Sequence, residues 1–248
     1  MRKPIRNLVP IPILFLCACQ APDEGATTGT LVSADTVPPL AGSGPPADRA
    51  AAFLRWAAAS RPEDAPALRA QLAGARRDQA LIDALAGHAQ DDADHGKALL
   101  AVALVGAMQS PGAEGHLRRV VARPLPAAAT GEHDARAGLE MLQAKAVDGL
   151  AHLGRPSADA EVLRIAASHD SRVVRAEAIE AFLYQRGGSD AARSQLLAVI
   201  RPEDHVFLDR PRHVAGASAA EFDGQLARYL AAHPELVPPK PVKREGSP

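Results

Sequence analysis

Three segments of this chain repeat one another, and each is amphipathic at helical spacing. Lys97-Ala-Leu-Leu-Ala-Val-Ala-Leu-Val-Gly106 aligns without gaps on Lys145-Ala-Val-Asp-Gly-Leu-Ala-His-Leu-Gly154, and Arg175-Ala-Glu-Ala-Ile-Glu-Ala-Phe-Leu183 is a third, looser copy. A short break and a second amphipathic stretch follow each copy: Leu117, Val120 and Val121; Val162, Leu163 and Ala166; Leu196, Leu197 and Ile200. One such helix pair cannot cover its own apolar face, so at least three must stack to bury a continuous core. Ala103, Ala151 and Ala181 are small enough for neighbouring helices to approach closely. No segment shows the two-residue alternation of a half-buried strand. The expectation is an all-α solenoid of five helix pairs over residues 47–234, its first pair (residues 48–74) and its last acting as caps.

Local signals divide the helices. Asp48, Asp92, Ser110, Ser157, Ser189 and Ser218 fit N-cap positions, where a short oxygen-bearing side chain accepts from a free backbone N–H. Pro62 and Pro111 suit the first turn, and Gly74, Gly154 and Gly187 suit helix stops. An acid lies five positions before each base in Asp92/Lys97, Glu140/Lys145 and Asp170/Arg175. At about 100° per residue the two members sit on different faces, so each is expected to pair with the neighbouring unit. Phe53 and Trp56 near one end, and Phe182, Tyr184, Phe207, Phe222 and Tyr229 towards the other, are expected to seal the ends of the stack.

Asp170-Ser-Arg-Val-Val-Arg175-Ala-Glu-Ala178-Ile179 resembles the second helix of a HEAT repeat, in the form shared with the HEAT-like repeats of phycobilin lyases. The likeness extends over residues 79–200. It implies a short right-handed α-solenoid of HEAT-like helix pairs, with Asp170 capping this helix. Residues 123–131 and the long helix after them, running to residue 153, make one unit oversized. The resemblance also implies an inner face carrying Lys97, Lys145, Arg172 and Arg175, either as a ladder to acids of adjacent units or as ligand contacts. The polar stretch of residues 201–216, with Asp204, His205, Arg210, Arg212 and His213, reads as a non-helical loop that binds a partner.

At the N-terminus, Arg2, Lys3 and Arg6 precede an apolar run over residues 8–16, and Leu16-Cys17-Ala18-Cys19 follows. That run is shorter than the roughly 20 residues needed to span a bilayer as helix. The order resembles the lipobox signal peptide of bacterial lipoproteins. It implies a cleaved leader over residues 1–18 and lipid on Cys19, where multiple acyl chains anchor firmly at about 0.8 kcal/mol per buried methylene. Gln20 after the cysteine implies the outer membrane, facing the periplasm. Cys17 and Cys19 are the only cysteines, so the folded part holds none and can form no disulfide. The leader takes three bases and no acid from a chain of formal net charge −1, leaving −4. That mildly acidic body argues against nucleic acid. Residues 19–46 and 235–248, rich in Gly, Pro and Ser, read as a flexible tether and a disordered tail.

Catalytic signals are weak. Gly216-Ala-Ser218 superficially matches a hydrolase nucleophile turn but lacks the strand before it and the glycine after it, so Ser218 reads as a helix cap. His88, Asp91, Asp92, Asp94 and His95 are the densest set of metal-ligand types, yet a helix break is expected between His88 and Asp92; a solvated acidic turn is favoured and no metal or cofactor is expected. The reading is a lipid-anchored scaffold that binds another envelope protein through its repeat surface. The alternative is a HEAT-like lyase or small-ligand-binding protein with a pocket assembled from several repeats.

Overall fold

The computed structural model describes residue 40 and residues 42–91, 94–127, 133–211 and 218–237. Among the described residues ten α-helices follow one another: α1 (Pro46–Ala59), α2 (Ala65–Ala75), α3 (Gln79–His88), α4 (His95–Ala107), α5 (Glu114–Val121), α6 (His133–Leu153), α7 (Pro156–Ser168), α8 (Arg172–Gln185), α9 (Asp190–Leu197) and α10 (Ala219–Ala232). Among the described residues there is no strand. Proline opens α1 and α7 and also the 3-10 segments Pro62–Asp64, Pro111–Ala113, Pro202–Asp209 and Pro234–Leu236. Its fixed φ suits a first turn, where its missing N–H leaves no bond unmade.

The three repeated segments are α4, α6 and α8, and they stack in that order with α6 in the middle. Helices α3, α5 and α7 back them, giving the pairs α3/α4, α5/α6 and α7/α8. Their shared core includes Leu81, Leu85, Val102, Val147, Leu150, Ile165 and Ile179, all essentially without solvent contact. At one end α1 lies across α3 and α4, burying Phe53 and Trp56 with ring centroids 5.3 Å apart. Arg49 of α1 donates to Asp78 Oδ2 at 2.8 Å, while Asp78 Oδ1 accepts from Leu81 N and caps α3. At the other end α10 buries only Tyr229, whose hydroxyl donates to the Val206 carbonyl at 3.1 Å.

Helices α4 and α6 run in the same direction at close quarters. A methyl group on Gly106 would lie 2.7 Å from Gly149 Cα, and one on Gly138 would lie 2.5 Å from the His95 ring. Both contacts join residues 43 apart, whereas the gapless alignment pairs residues 48 apart. The helices therefore slide past one another by about 7 Å at 1.5 Å per residue.

Several local expectations are corrected. Asp48 lies in the first turn of α1, behind Pro45 at the cap. Asp94, not Asp92, caps α4 by accepting from Lys97 N at 2.9 Å; Asp92 lies outside the described residues. Ser157 sits inside α7, and its hydroxyl donates instead to Glu114 Oε2 at 3.1 Å. Ser171, not Asp170, caps α8. Helix α2 continues through Gly74, whereas Gly154 and Gly187 do take up positive φ at helix ends. Glu140 and Lys145 each pair within α6, with Arg136 and Asp148. Tyr184, expected to seal an end, is exposed.

Candidate interaction face

Within the stretch expected to be a loop, Pro202–Asp209 is instead a 3-10 segment clamped onto α8, and residues 212–216 lie outside the described residues. Asp204 is fully buried and receives two arginines one turn apart on α8. Arg175 Nε donates to its Oδ2 at 2.6 Å, and Arg172 Nε donates to Oδ1 at 3.2 Å. Arg175, 4% exposed, also donates to the His169 carbonyl at 2.8 Å. Arg172 reaches the Glu203 carbonyl at 2.8 Å and stacks over the Phe207 ring at 5.1 Å. Phe207 and Leu208 go into the core, so the segment is held by apolar contact as well as charge.

Of the residues expected to bind a partner, Arg175 and Asp204 are thus enclosed in an internal pair. His205 and Arg210 face outward, Arg210 paired with Glu180 Oε1 at 2.6 Å. Arg212 and His213 lie outside the described residues. Cys19, and with it the proposed leader and most of the tether, lies there too.

A second arrangement comes from the stacking itself. Met141, Lys145, Asp148 and His152 fall at i, i+4, i+7 and i+11 on α6, one stripe of a helix. Val173, Glu177, Glu180 and Tyr184 have the same spacing on α8. Gln185 Nε2 lies 2.9 Å from His152 Nδ1, so the C-terminal ends meet and the stripes run side by side in one direction. Met141 and Val173, at the leading ends, are 54% and 57% exposed, and Tyr184 is 36% exposed. Between these apolar ends lies a cluster of charge.

Lys145 Nζ donates to Asp148 Oδ2 at 2.7 Å, and His152 Nδ1 lies 3.7 Å from Asp148 Oδ1. Burial works against the Asp148 carboxylate, but His152 and Lys145 outweigh it and hold its pKa down at about 2. Glu177, half-buried, accepts no hydrogen bond among the described residues. Burial first, then the charges of Asp148 and Glu180, push its carboxyl up to about 8, against the weaker pull of Lys145 and Arg210. Two carboxylates here are matched by two bases, and the third acid stays protonated at neutral pH.

On the opposite side, α3 and α5 border an open groove of about 520 Å³, lined in part by Asp83, Ala86, Gly87, His116, Arg119 and Ala122. His116 Nε2 is 2.6 Å from Asp83 Oδ1, and Arg119 Nη2 donates to His116 Nδ1 at 2.6 Å. Both imidazole nitrogens are therefore engaged: Nδ1 accepts and Nε2 donates to the carboxylate. Gln79 also donates to Asp83, and together with His116 it keeps that carboxyl below its usual range. This is a surface bracing α3 to α5.

Among the described residues no three His, Cys, Asp or Glu side chains converge as a metal site, and no helix is long and apolar enough to cross a membrane. No family model, curated protein or solved structure matches the chain.

Proposed function

We propose that this chain is a lipid-anchored, non-catalytic binding module of a bacterial envelope, and that the α6–α8 face receives another envelope protein. The observation that carries the reading is the pair of matching stripes on adjacent stacked helices, with exposed Met141, Val173 and Tyr184 around a charged centre. Met141 beside Val173 brings two exposed apolar side chains together on one face, and such patches mark association surfaces. The likeness of residues 170–179 to a HEAT helix supports the same class, since stacked repeats commonly present extended binding surfaces. Support for the anchor is the basic head, short apolar run and Ala18-Cys19 pair.

The test is crosslinking in native membranes followed by mass spectrometry, with the full chain and a Cys19→Ala control. One stoichiometric protein partner is expected with the full chain. Met141→Asp or Val173→Asp is expected to abolish its recovery while leaving the helical content intact. Cys19→Ala is expected to release the chain from the membrane fraction. A bound small molecule with no protein partner refutes the reading, and so does a partner indifferent to both face variants.

A further inference from the structure

We propose that the partner segment seated on the α6–α8 face carries a lysine or arginine between apolar side chains, and that this base pairs with Glu177. The inference rests on the proposed function and names the chemistry of its partner.

Among the described residues, the charged groups on or beside the seam come from α6, α8 and the residue after the 3-10 segment. Helix α6 contributes Lys145 and Asp148, with His152 next to Asp148; α8 contributes Glu177 and Glu180, with the Tyr184 hydroxyl; Arg210 follows the 3-10 segment. Asp148 is matched by Lys145 and Glu180 by Arg210, at 2.7 and 2.6 Å. Glu177 is the odd acid, with no donor directed at it from α6, α8 or the 3-10 segment among the described residues. A partner acid laid over the seam would meet the ionised Asp148 and Glu180, and an apolar partner would leave the Glu177 carboxyl covered and without a hydrogen bond. A base completes a third pair.

The flanking side chains set the rest of the ligand. Val173 and Tyr184 are eleven residues apart, about 16 Å along the helix axis, with Met141 beside the first on the neighbouring stripe. The complementary segment has apolar groups spaced to reach both ends and its base in the middle. Glu177 is protonated below pH 8 when the face is free and ionised when the base arrives, so binding releases a proton. Affinity then rises with pH until Glu177 ionises unaided, by about tenfold between pH 7 and pH 9. His152 lies beside Asp148 in the same cluster, 3.7 Å from its Oδ1.

A photo-crosslinker placed at one rim of the face tests this in the full, membrane-anchored chain. With Tyr184→p-benzoylphenylalanine, illumination at pH 7 and pH 9 is followed by sequencing of the captured peptide. The expected peptide contains a lysine or arginine flanked by apolar residues, and partner titrations at the two pH values differ about tenfold. Glu177→Gln is expected to remove that pH difference while the same peptide is still captured. An acidic or uncharged peptide, an unchanged pH difference in Glu177→Gln, or capture of this chain's own Lys240-Pro-Val-Lys-Arg244 region overturns the inference and leaves the binding-module reading standing. No protein capture from either Tyr184 or a second crosslinker at Met141 overturns both.

Discussion

Glu177→Gln is expected to change the pH profile of stability more than stability itself. The carboxyl ionises at 4.5 in an unfolded chain and at about 8 in the folded one. Between those values the native state holds a proton that the unfolded state has lost, so stability falls as pH rises, by a little over ~1 kcal/mol per pH unit. Its favourable contribution is complete below pH 4.5 and gone once pH has passed about 8. The full interval sets a ceiling of about 5 kcal/mol, which solvent reaching a half-buried group reduces to about 2–3 kcal/mol. Glutamine has nearly the shape of the protonated acid and no charge to lose. Urea unfolding followed by circular dichroism should therefore give variant and wild type equal stability near pH 5. At pH 9 the variant should be more stable by about 2–3 kcal/mol. A difference that stays constant from pH 5 to pH 9 refutes the charge count on which the α6–α8 face rests.

Three other perturbations test separate parts of the structure. Asp204→Ala leaves Arg175 buried without its carboxylate and should cost about 3–5 kcal/mol in denaturant unfolding, because a lone buried charge is worse than none; a loss below about 1 kcal/mol is the contrary result. Gly106→Ala should destabilise by about 1–3 kcal/mol, since the new methyl meets Gly149 backbone at 2.7 Å. Helix propensity alone predicts a gain of about 1 kcal/mol, so the sign of the shift decides. Asp148→Asn should bring the Glu177 pKa down from about 8, because one of the charges raising it is removed; a carboxyl-carbon NMR titration unchanged from wild type is the contrary result.

The stack was readable from the chain because burial imposes a period, and α4, α6 and α8 repeat that period in their own sequences. Ser110, Ser189 and Ser218 were readable as caps for a similar reason: each is a short oxygen-bearing side chain at the point where a helical pattern starts. Where two candidates stand together, sequence alone does not choose. Ser171 displaces Asp170, and Ser157 yields its capping role to a bond with Glu114. Arg172, Arg175 and Asp204 were singled out together, and they do meet, but as a clamp inside the fold. The α6–α8 face was missed because its halves lie about thirty residues apart and acquire meaning only when the helices are set side by side. A signal was present in the chain: Lys145, Asp148 and His152 are polar at helical spacing on the one stripe of α6 that the apolar pattern leaves unused.

That unused stripe follows from the architecture. Helix α6 has α4 on one flank, α8 on the other, and α5 and α7 behind, so only one side remains for solvent. Helix α8, held by α6, α7 and the 3-10 segment, has no reason to keep a half-buried, unpaired acid beside that side for stability, since any neutral side chain of similar size avoids the cost of Glu177 above pH 4.5. Met141 and Val173 likewise stabilise nothing they could be packed against, being more than half exposed. Residues that cost the fold something, gathered on the open side of α6 and α8, are the pattern expected where structure has been given over to recognition. The Asp204 clamp works in the opposite sense. It joins α8 to the 3-10 segment through a fully buried pair and so holds Arg210 against Glu180 at the edge of the same face. The two constellations are one construction: the buried arginine fixes the frame, and the frame keeps Glu177 short of a partner.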